Sequence, residues 1–217
     1  MTNRTLQNPV PLIVMGAGGH AKVLVALARA AGHEVIGVCD PELSRSRIAF
    51  WREIPVLGDD EAIYNLQFPA YGLINGIGQL VGSAGRRLFF ERLCAAGFFF
   101  PPLIHPMAWV DDSAELGQGA QVMAGAIVQA DAKIGMNSII NTGARVDHDC
   151  CVGNHVHIAP GAILCGNVTV GDGAFIASGS VVIQGLKVGE GAVLAAGAVL
   201  VRNLSDKQTS FGYSTRR

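Results

Sequence analysis

The sequence has no excess of positive charge and no apolar run long enough to cross a membrane. Lysine and arginine number 16 against 17 aspartates and glutamates, which gives a formal net charge of −1. A chain so close to neutrality offers no basic surface field for nucleic acid or for anionic lipid. The opening residues, MTNRTLQNPV, lack the apolar core of a signal peptide. These absences favour a cytoplasmic protein without a nucleic-acid or membrane partner.

Cysteine is also scarce and shows no metal-binding spacing. The five cysteines are Cys39, Cys94, Cys150, Cys151 and Cys165. An odd number that includes two adjacent residues does not indicate a disulfide framework, and no CxxC spacing typical of zinc sites occurs. We therefore expect reduced thiols and no metal ion.

The first half of the chain alternates short apolar runs with a helical pattern. Residues 12–15 are typical of a buried parallel strand, residues 21–31 of an amphipathic helix, and residues 35–39 of a second strand. The other predicted elements are strands at 54–57 and 73–77 and a helix at 84–96. A double proline then marks a domain junction, so residues 1–102 are expected to form a Rossmann-like α/β domain.

A glycine turn follows the first strand, in the sequence GAGGHA from Gly16 to Ala21. It satisfies the G-x-G-x-x-A pattern, and Asp40 ends the next strand, as in dinucleotide-binding proteins. Backbone N–H groups at a helix N-terminus favour phosphate, so an NAD-binding protein is one interpretation. About 100 residues are too few for two mononucleotide-binding halves and a catalytic domain. The turn is also compatible with tight strand–helix packing alone.

The second half follows a strict six-residue period. Every sixth residue from Ile104 to Leu200 is Ile, Leu or Val, and most are followed four positions later by a small residue. Neither a helix nor a lone strand has this period, whereas the hexapeptide repeat of a parallel β-helix does. Three hexapeptides make one coil of 18 residues, so residues 103–204 predict about five coils before a tail at 205–217. Residues 18 apart should stack, which puts His148 between Ala130 and Gly166.

Several motifs together resemble one family. These are GAGGHAKV, the junction HPMA at 105–108, and uninterrupted hexapeptides that contain NTGARVDHDC and VHIAPGA. The chain resembles bacterial nucleotide-sugar acetyltransferases, including sialic acid O-acetyltransferase-like and bacillosamine or perosamine N-acetyltransferase proteins. The resemblance implies a left-handed β-helix, a homotrimer with active sites between subunits, acetyl-CoA as donor, and a nucleotide-linked amino sugar bound by the first domain.

The resemblance also implies roles for particular residues. His148 matches the general base, Asp149 its acidic partner, and the Gly166 N–H the donor to the oxyanion. Asn141 is expected to orient the substrate, and His157 to contact the acetyl group or the acceptor. On the nucleotide side the matching residues are Gly18, Gly19, His20, Asp40 and Gly78. Arg202, Arg216 and Arg217 are expected near the coenzyme's 3′-phosphate, although the Val-Pro-Ala that usually follows Gly212 is missing.

Alternatives remain open for the histidines and for the function. His148, His155 and His157 are separated by seven and two residues, which does not match the zinc sites of related β-helices, and His155 is expected at the surface. The same base and donor would also serve O-acetylation of a sugar hydroxyl. A non-catalytic trimeric scaffold and an NAD-binding regulator are the other hypotheses.

Overall fold

The computed structural model describes residues 10–66 and 70–212 of the 217-residue chain. These residues form two compact units. The first contains residues 10–66, 70–78 and 88–101, and the second contains residues 79–87 and 102–212. The segment 79–87, which falls within the first domain by sequence, is thus grouped with the second unit.

The first unit is an α/β structure around one five-stranded sheet. Its elements are β1 Leu12–Met15, α1 Gly19–Ala30, β2 Val35–Cys39, α2 Pro41–Arg45, β3 Phe50–Trp51, β4 Ile54–Gly58, a 3₁₀ turn at Ala62–Asn65, β5 Gly72–Asn75 and α3 Gly85–Ala95, which begins in the 79–87 segment. The strand order is β3-β4-β2-β1-β5, and all pairs are parallel except the β3–β4 hairpin. All four residues of β1 are fully buried, as expected for a central parallel strand.

The second unit is a prism of three parallel sheets made of two-residue strands. The first sheet contains β7 Trp109–Val110, β10 Ile127–Val128, β13 Arg145–Val146, β16 Ile163–Leu164, β19 Val181–Val182 and β22 Val199–Leu200. The second contains β8 Glu115–Leu116, β11 Lys133–Ile134, β14 Cys151–Val152, β17 Thr169–Val170 and β20 Lys187–Val188. The third contains β6 Leu103–Ile104, β9 Gln121–Val122, β12 Ile139–Ile140, β15 His157–Ile158, β18 Phe175–Ile176, β21 Val193–Leu194 and β23 Thr209–Ser210.

The predicted register of the coils is confirmed. Each strand pairs with the one 18 residues later, as in Ile140 with Ile158, and the aliphatic residues of the repeat fill one continuous core. The last coil is shorter, because Val193 pairs with Thr209 after only 16 residues. The predicted fold class, an α/β domain followed by a left-handed parallel β-helix, is therefore confirmed. No helix among the described residues is both long and apolar enough to cross a membrane.

Candidate active site

His148 and Asp149 form a close pair at the edge between the first and second sheets of the β-helix. His148 Nδ1 lies 2.7 Å from Asp149 Oδ2, and the side chains are 61% and 58% exposed. Asp149 has the left-handed φ of 59°, which turns its carboxylate back toward the preceding ring. The hydrogen bond to Asp149 raises the pKa of His148, and the charge of Asp147 adds to the effect. The proton therefore stays on Nδ1 of the neutral ring, and Nε2 is the basic atom.

Gly166 lies directly against the His148 ring, as the stacking of residues 18 apart predicts. A methyl group at Gly166 would lie 2.6 Å from both Cε1 and Nε2 of His148, so the imidazole occupies the space that any side chain would need. Within the described chain, the Gly166 N–H has no hydrogen-bond partner. A basic nitrogen and an open amide donor are thus next to each other.

Asn141 and His157 meet on the outer face of the third sheet. Asn141 Oδ1 accepts a hydrogen bond from the Thr142 N–H at 2.8 Å, which fixes the amide so that Nδ2 points to His157 Nε2 at 3.0 Å. Because an amide N–H can only donate, His157 Nε2 must accept, and the ring is neutral with its proton on Nδ1. Phe175 packs edge-on against this ring, with 4.8 Å between the centroids.

Burial keeps His157 in this neutral form. The residue is only 9% exposed. Burial and the positive charge of Arg86 lower the pKa of His157 to about 4, opposed only in part by the backbone of Gln79. Nδ1 is buried and makes no hydrogen bond of ordinary geometry with the described residues. His157 therefore cannot serve as a proton acceptor of ordinary basicity through Nε2, which Asn141 already occupies.

His155 is not at the surface, and the expectation that it would be exposed is wrong. It is 6% exposed, and its Nδ1 lies 3.0 Å from Nδ2 of Asn137, one coil earlier. Its carbonyl accepts a hydrogen bond from Gln79 Nε2 at 2.8 Å. The physical reason is that the 79–87 segment covers this edge of the prism, which the six-residue period alone does not reveal.

The predicted nucleotide-side residues come together at the carboxyl end of β1. Gly18 is the N-cap of α1 and supplies no side-chain cap, and a methyl group at Gly18 or Gly19 would meet nothing within 4 Å. Both glycines are exposed. His20 lies beside Gly78, where a methyl group would be 3.6 Å from the His20 Cβ. The helix N-terminus is thus open to an anion, as phosphate binding requires.

Asp40 has a structural role that competes with the predicted contact to a nucleotide. Its Oδ1 caps α2 by accepting hydrogen bonds from the Glu42 and Leu43 N–H groups at 2.9 and 3.0 Å. Its Oδ2 accepts one from the Ala17 N–H in the glycine turn at 2.8 Å. The carboxylate therefore fixes the turn, and its predicted ribose or base contact remains a prediction.

The remaining predicted donor residue, Arg202, is exposed and follows β22. Arg216 and Arg217 lie outside the described residues. Sequence reasoning missed the contributions of Arg86 and Asn137 beside the two buried histidines. Arg86 is 2% exposed, and burial lowers its pKa to about 9. The signal that could have identified these residues is the occurrence of polar side chains at buried positions of a β-helix edge.

Two family models match parts of the chain. The family model described as the PglD N-terminal domain matches residues 11–92, and the model of bacterial transferase hexapeptide repeats matches residues 149–184. A comparison with curated protein sequences finds no match.

Three solved structures are similar to the chain over nearly its whole length. A variant of GDP-perosamine N-acetyltransferase from Caulobacter crescentus, in complex with CoA and GDP-perosamine, is 37% identical over 92% of both chains, with a TM-score of 0.83. The acetyltransferase domain of PglB from Neisseria gonorrhoeae, in complex with acetyl coenzyme A, is 37% identical over 93% of this chain and 95% of that one, with a TM-score of 0.84. WeeI from Acinetobacter baumannii, at 24% identity, covers 92% of this chain and 95% of that one with a TM-score of 0.81, and shares the fold. The chain therefore belongs to the family of bacterial nucleotide-sugar acetyltransferases that carry hexapeptide repeats.

Proposed function

We propose that this protein transfers the acetyl group of acetyl-CoA to the amino group of a nucleotide-linked amino sugar. The observation that carries the proposal is the His148–Asp149 pair, packed against a glycine with an open N–H. A base and an oxyanion donor are the two groups that acetyl transfer to an amine requires. The solved relatives that bind CoA, acetyl-CoA or GDP-perosamine support this choice of donor and acceptor.

In the proposed reaction His148 is the general base. The sugar amine attacks the thioester carbonyl carbon, and its proton passes to His148 Nε2. Asp149 holds the other ring proton at Nδ1 and stabilises the imidazolium. The Gly166 N–H donates a hydrogen bond to the tetrahedral oxyanion. When the intermediate collapses, the C–S bond breaks, and the CoA thiolate takes the proton from His148 to leave as the free thiol.

The other predicted site residues are assigned to binding. Gly18, Gly19, His20 and Gly78 would hold the diphosphate of the sugar nucleotide at the N-terminus of α1. His157 would contact the acetyl group as a neutral ring that Asn141 orients. Arg202 would meet the coenzyme's 3′-phosphate.

We also infer that the protein is a cytoplasmic homotrimer. The outward residues of the first sheet are mostly apolar: Trp109, Ile127, Ile163, Val181 and Val199, with Arg145 among them. Trp109 and Val199 are 61% and 44% exposed in the single chain. An apolar face of this extent favours association between copies. His148 stands at the edge of this face, so a trimer would bring the pair close to a neighbouring subunit.

The function is tested by incubating the protein with acetyl-CoA and a set of UDP-, GDP- and dTDP-linked amino sugars. Release of free thiol and mass spectrometry of the product would identify the acceptor. We expect a mass gain of one acetyl group at the amine of at least one sugar nucleotide. Acetylation of the matching hydroxyl sugar alone would contradict the proposal in favour of O-acetyl transfer. Lack of acetyl-CoA binding in calorimetry would contradict it in favour of a scaffold.

A further inference from the structure

One edge of the β-helix carries a column of residues with left-handed backbone. The residues are spaced by 18 and have φ values between 56° and 71°: Gly119, Asn137, His155, Gly173 and Gly191. Glycine adopts this conformation without steric cost, and asparagine and histidine are among the few other residues that enter it comparatively often. The column thus carries side chains at two adjacent rungs, that is, at Asn137 and His155 in two successive coils, and is otherwise glycine.

The two side chains at these rungs contact each other. Asn137 Nδ2 lies within hydrogen-bond distance of His155 Nδ1, at 3.0 Å, and the two residues are 0% and 6% exposed. A buried polar pair that satisfies itself is fixed in one arrangement, because each partner would lose its hydrogen bond if the other moved. The pair is therefore a fixed part of this edge of the β-helix.

The 79–87 segment is docked on the same two rungs. The Gln79 side chain donates from Nε2 to the His155 carbonyl at 2.8 Å. The Arg86 side chain donates from Nη2 to the Asn137 carbonyl at a longer 3.5 Å. The two ends of the segment are thus held by two successive coils, 76 and 51 residues away along the chain.

The docked segment forms one wall of a cavity of about 380 Å³. Residues 79–84 and Arg87 line this wall, and the β-helix contributes Phe175 together with charged groups that include Glu190 and Lys207. Acidic and basic groups around an aromatic ring can bind the amino and hydroxyl groups of a sugar. Gln79 also follows directly after Gly78, which is a predicted nucleotide-side residue. These two observations favour the acceptor as the occupant of the cavity.

We propose that Asn137 and His155 are positioning residues, which hold the 79–87 segment as the wall of the cavity that binds the acceptor sugar. This inference rests on the proposed function, since it names the acceptor as the occupant. The hydrogen bond between the two side chains holds their two carbonyls, which accept hydrogen bonds from the segment, in a fixed relation to each other. Glycine at either position would keep the backbone and both carbonyls but remove the hydrogen bond between the two side chains.

The test compares His155→Gly with wild type. Because glycine suits a φ of 57°, this variant is expected to fold. Two readouts are needed: deuterium exchange of residues 79–87, and steady-state kinetics with each substrate varied in turn. We expect faster exchange in the segment and a KM for the amino-sugar nucleotide that rises about tenfold, as for one lost hydrogen bond. The KM for acetyl-CoA and kcat should stay within about twofold, since neither depends on this wall.

Three further variants make the result specific. Arg47→Gly places glycine at another left-handed position, with φ 53° and an exposed side chain, and should change neither readout. His155→Asn keeps a polar side chain that tolerates this backbone and should recover part of the acceptor KM. Asn137→Gly combined with His155→Gly should be no worse than the poorer single variant, because both act through one contact.

Each outcome decides the inference. Unchanged exchange in residues 79–87 of His155→Gly would overturn the positioning role. Faster exchange with an unchanged acceptor KM would overturn the assignment of the cavity to the acceptor. If wild type has no acetyltransferase activity with any amino sugar, the proposed function fails and the acceptor assignment fails with it. The exchange measurement then still decides whether His155 positions the segment.

Discussion

Replacing Gly166 by alanine tests the contact between this residue and the His148 ring. The backbone of Gly166 is not in the left-handed region, so alanine introduces no backbone strain. The N–H group, which is the proposed oxyanion donor, is retained. The only change is a methyl group that would lie 2.6 Å from Cε1 and Nε2 of His148. We therefore expect any loss of activity to come from displacement of the base.

The distance between the added methyl group and the His148 ring sets the expected loss of kcat. Ordinary contact with a Cβ begins at 3.4 Å, so the ring must retreat by about 0.8 Å, the difference between 3.4 and 2.6 Å. The ring is 61% exposed and can move without disturbing the core. A misplacement near 1 Å at a reacting group costs about 100-fold in rate. We expect kcat to fall by roughly that factor, while the midpoint of thermal unfolding changes by only a few degrees.

The assay is a double-mutant cycle on kcat, read by thiol release from acetyl-CoA. His148→Ala alone should lose the whole contribution of the base, and Gly166→Ala added to it should cost little more, because no ring remains to be displaced. A kcat of Gly166→Ala within twofold of wild type would refute the claim that a methyl group at this position displaces the His148 ring. A further loss of about 100-fold in the His148→Ala background would show that the methyl group acts on something other than the base.

Three other predictions concern charge and assembly. Asp149→Asn removes the group that raises the pKa of His148. Since the neutral ring is the active form, the acid limb of the pH–rate profile should move to lower pH, and the plateau rate should fall at least about tenfold. An acid limb that does not move would argue against the pairing of His148 with Asp149. His157 should titrate near pH 4 in NMR, well below His148. Because its pKa is lowered in the folded protein, roughly 3 kcal/mol of stability should be lost as the pH falls from 6.5 toward 4. Asn141→Asp should raise the pKa of His157, and titration of His157 near 6.5 in wild type would contradict its burial. Ile163→Asp should shift the protein from trimer to monomer in sedimentation, and an unchanged trimer would exclude the first sheet as the interface.

The β-helix could be predicted from the sequence because its core obeys a rule of one residue in six. From Val122 to Leu200 every aliphatic residue of the period is buried, since any insertion would move the repeat out of register. The stacking of His148 on Gly166 follows from the same arithmetic. The strand of residues 12–15 was equally clear, because a fully buried parallel strand is apolar throughout.

The features that escaped prediction depend on contacts between distant residues. His155 resembles any turn residue of the repeat, and it is covered by the 79–87 segment, in which Gln79 donates a hydrogen bond to its carbonyl from 76 residues earlier in the chain. The α2 helix has only five residues and forms because Asp40 caps it and Pro41 begins it. The sequence indicates a strand that ends at Asp40 and does not reveal the short helix that follows. The same cap occupies the carboxylate that the sequence motif assigned to the nucleotide.

The most direct test of the account is the activity of His148→Ala with acetyl-CoA and the amino-sugar nucleotide that wild type accepts. His148 is exposed, so the variant should fold, and its affinity for acetyl-CoA in calorimetry should stay within a few-fold of wild type. The account predicts that kcat falls by roughly 10² to 10⁴. A variant that binds acetyl-CoA normally and turns over at the wild-type rate would contradict the claim that His148 is the base.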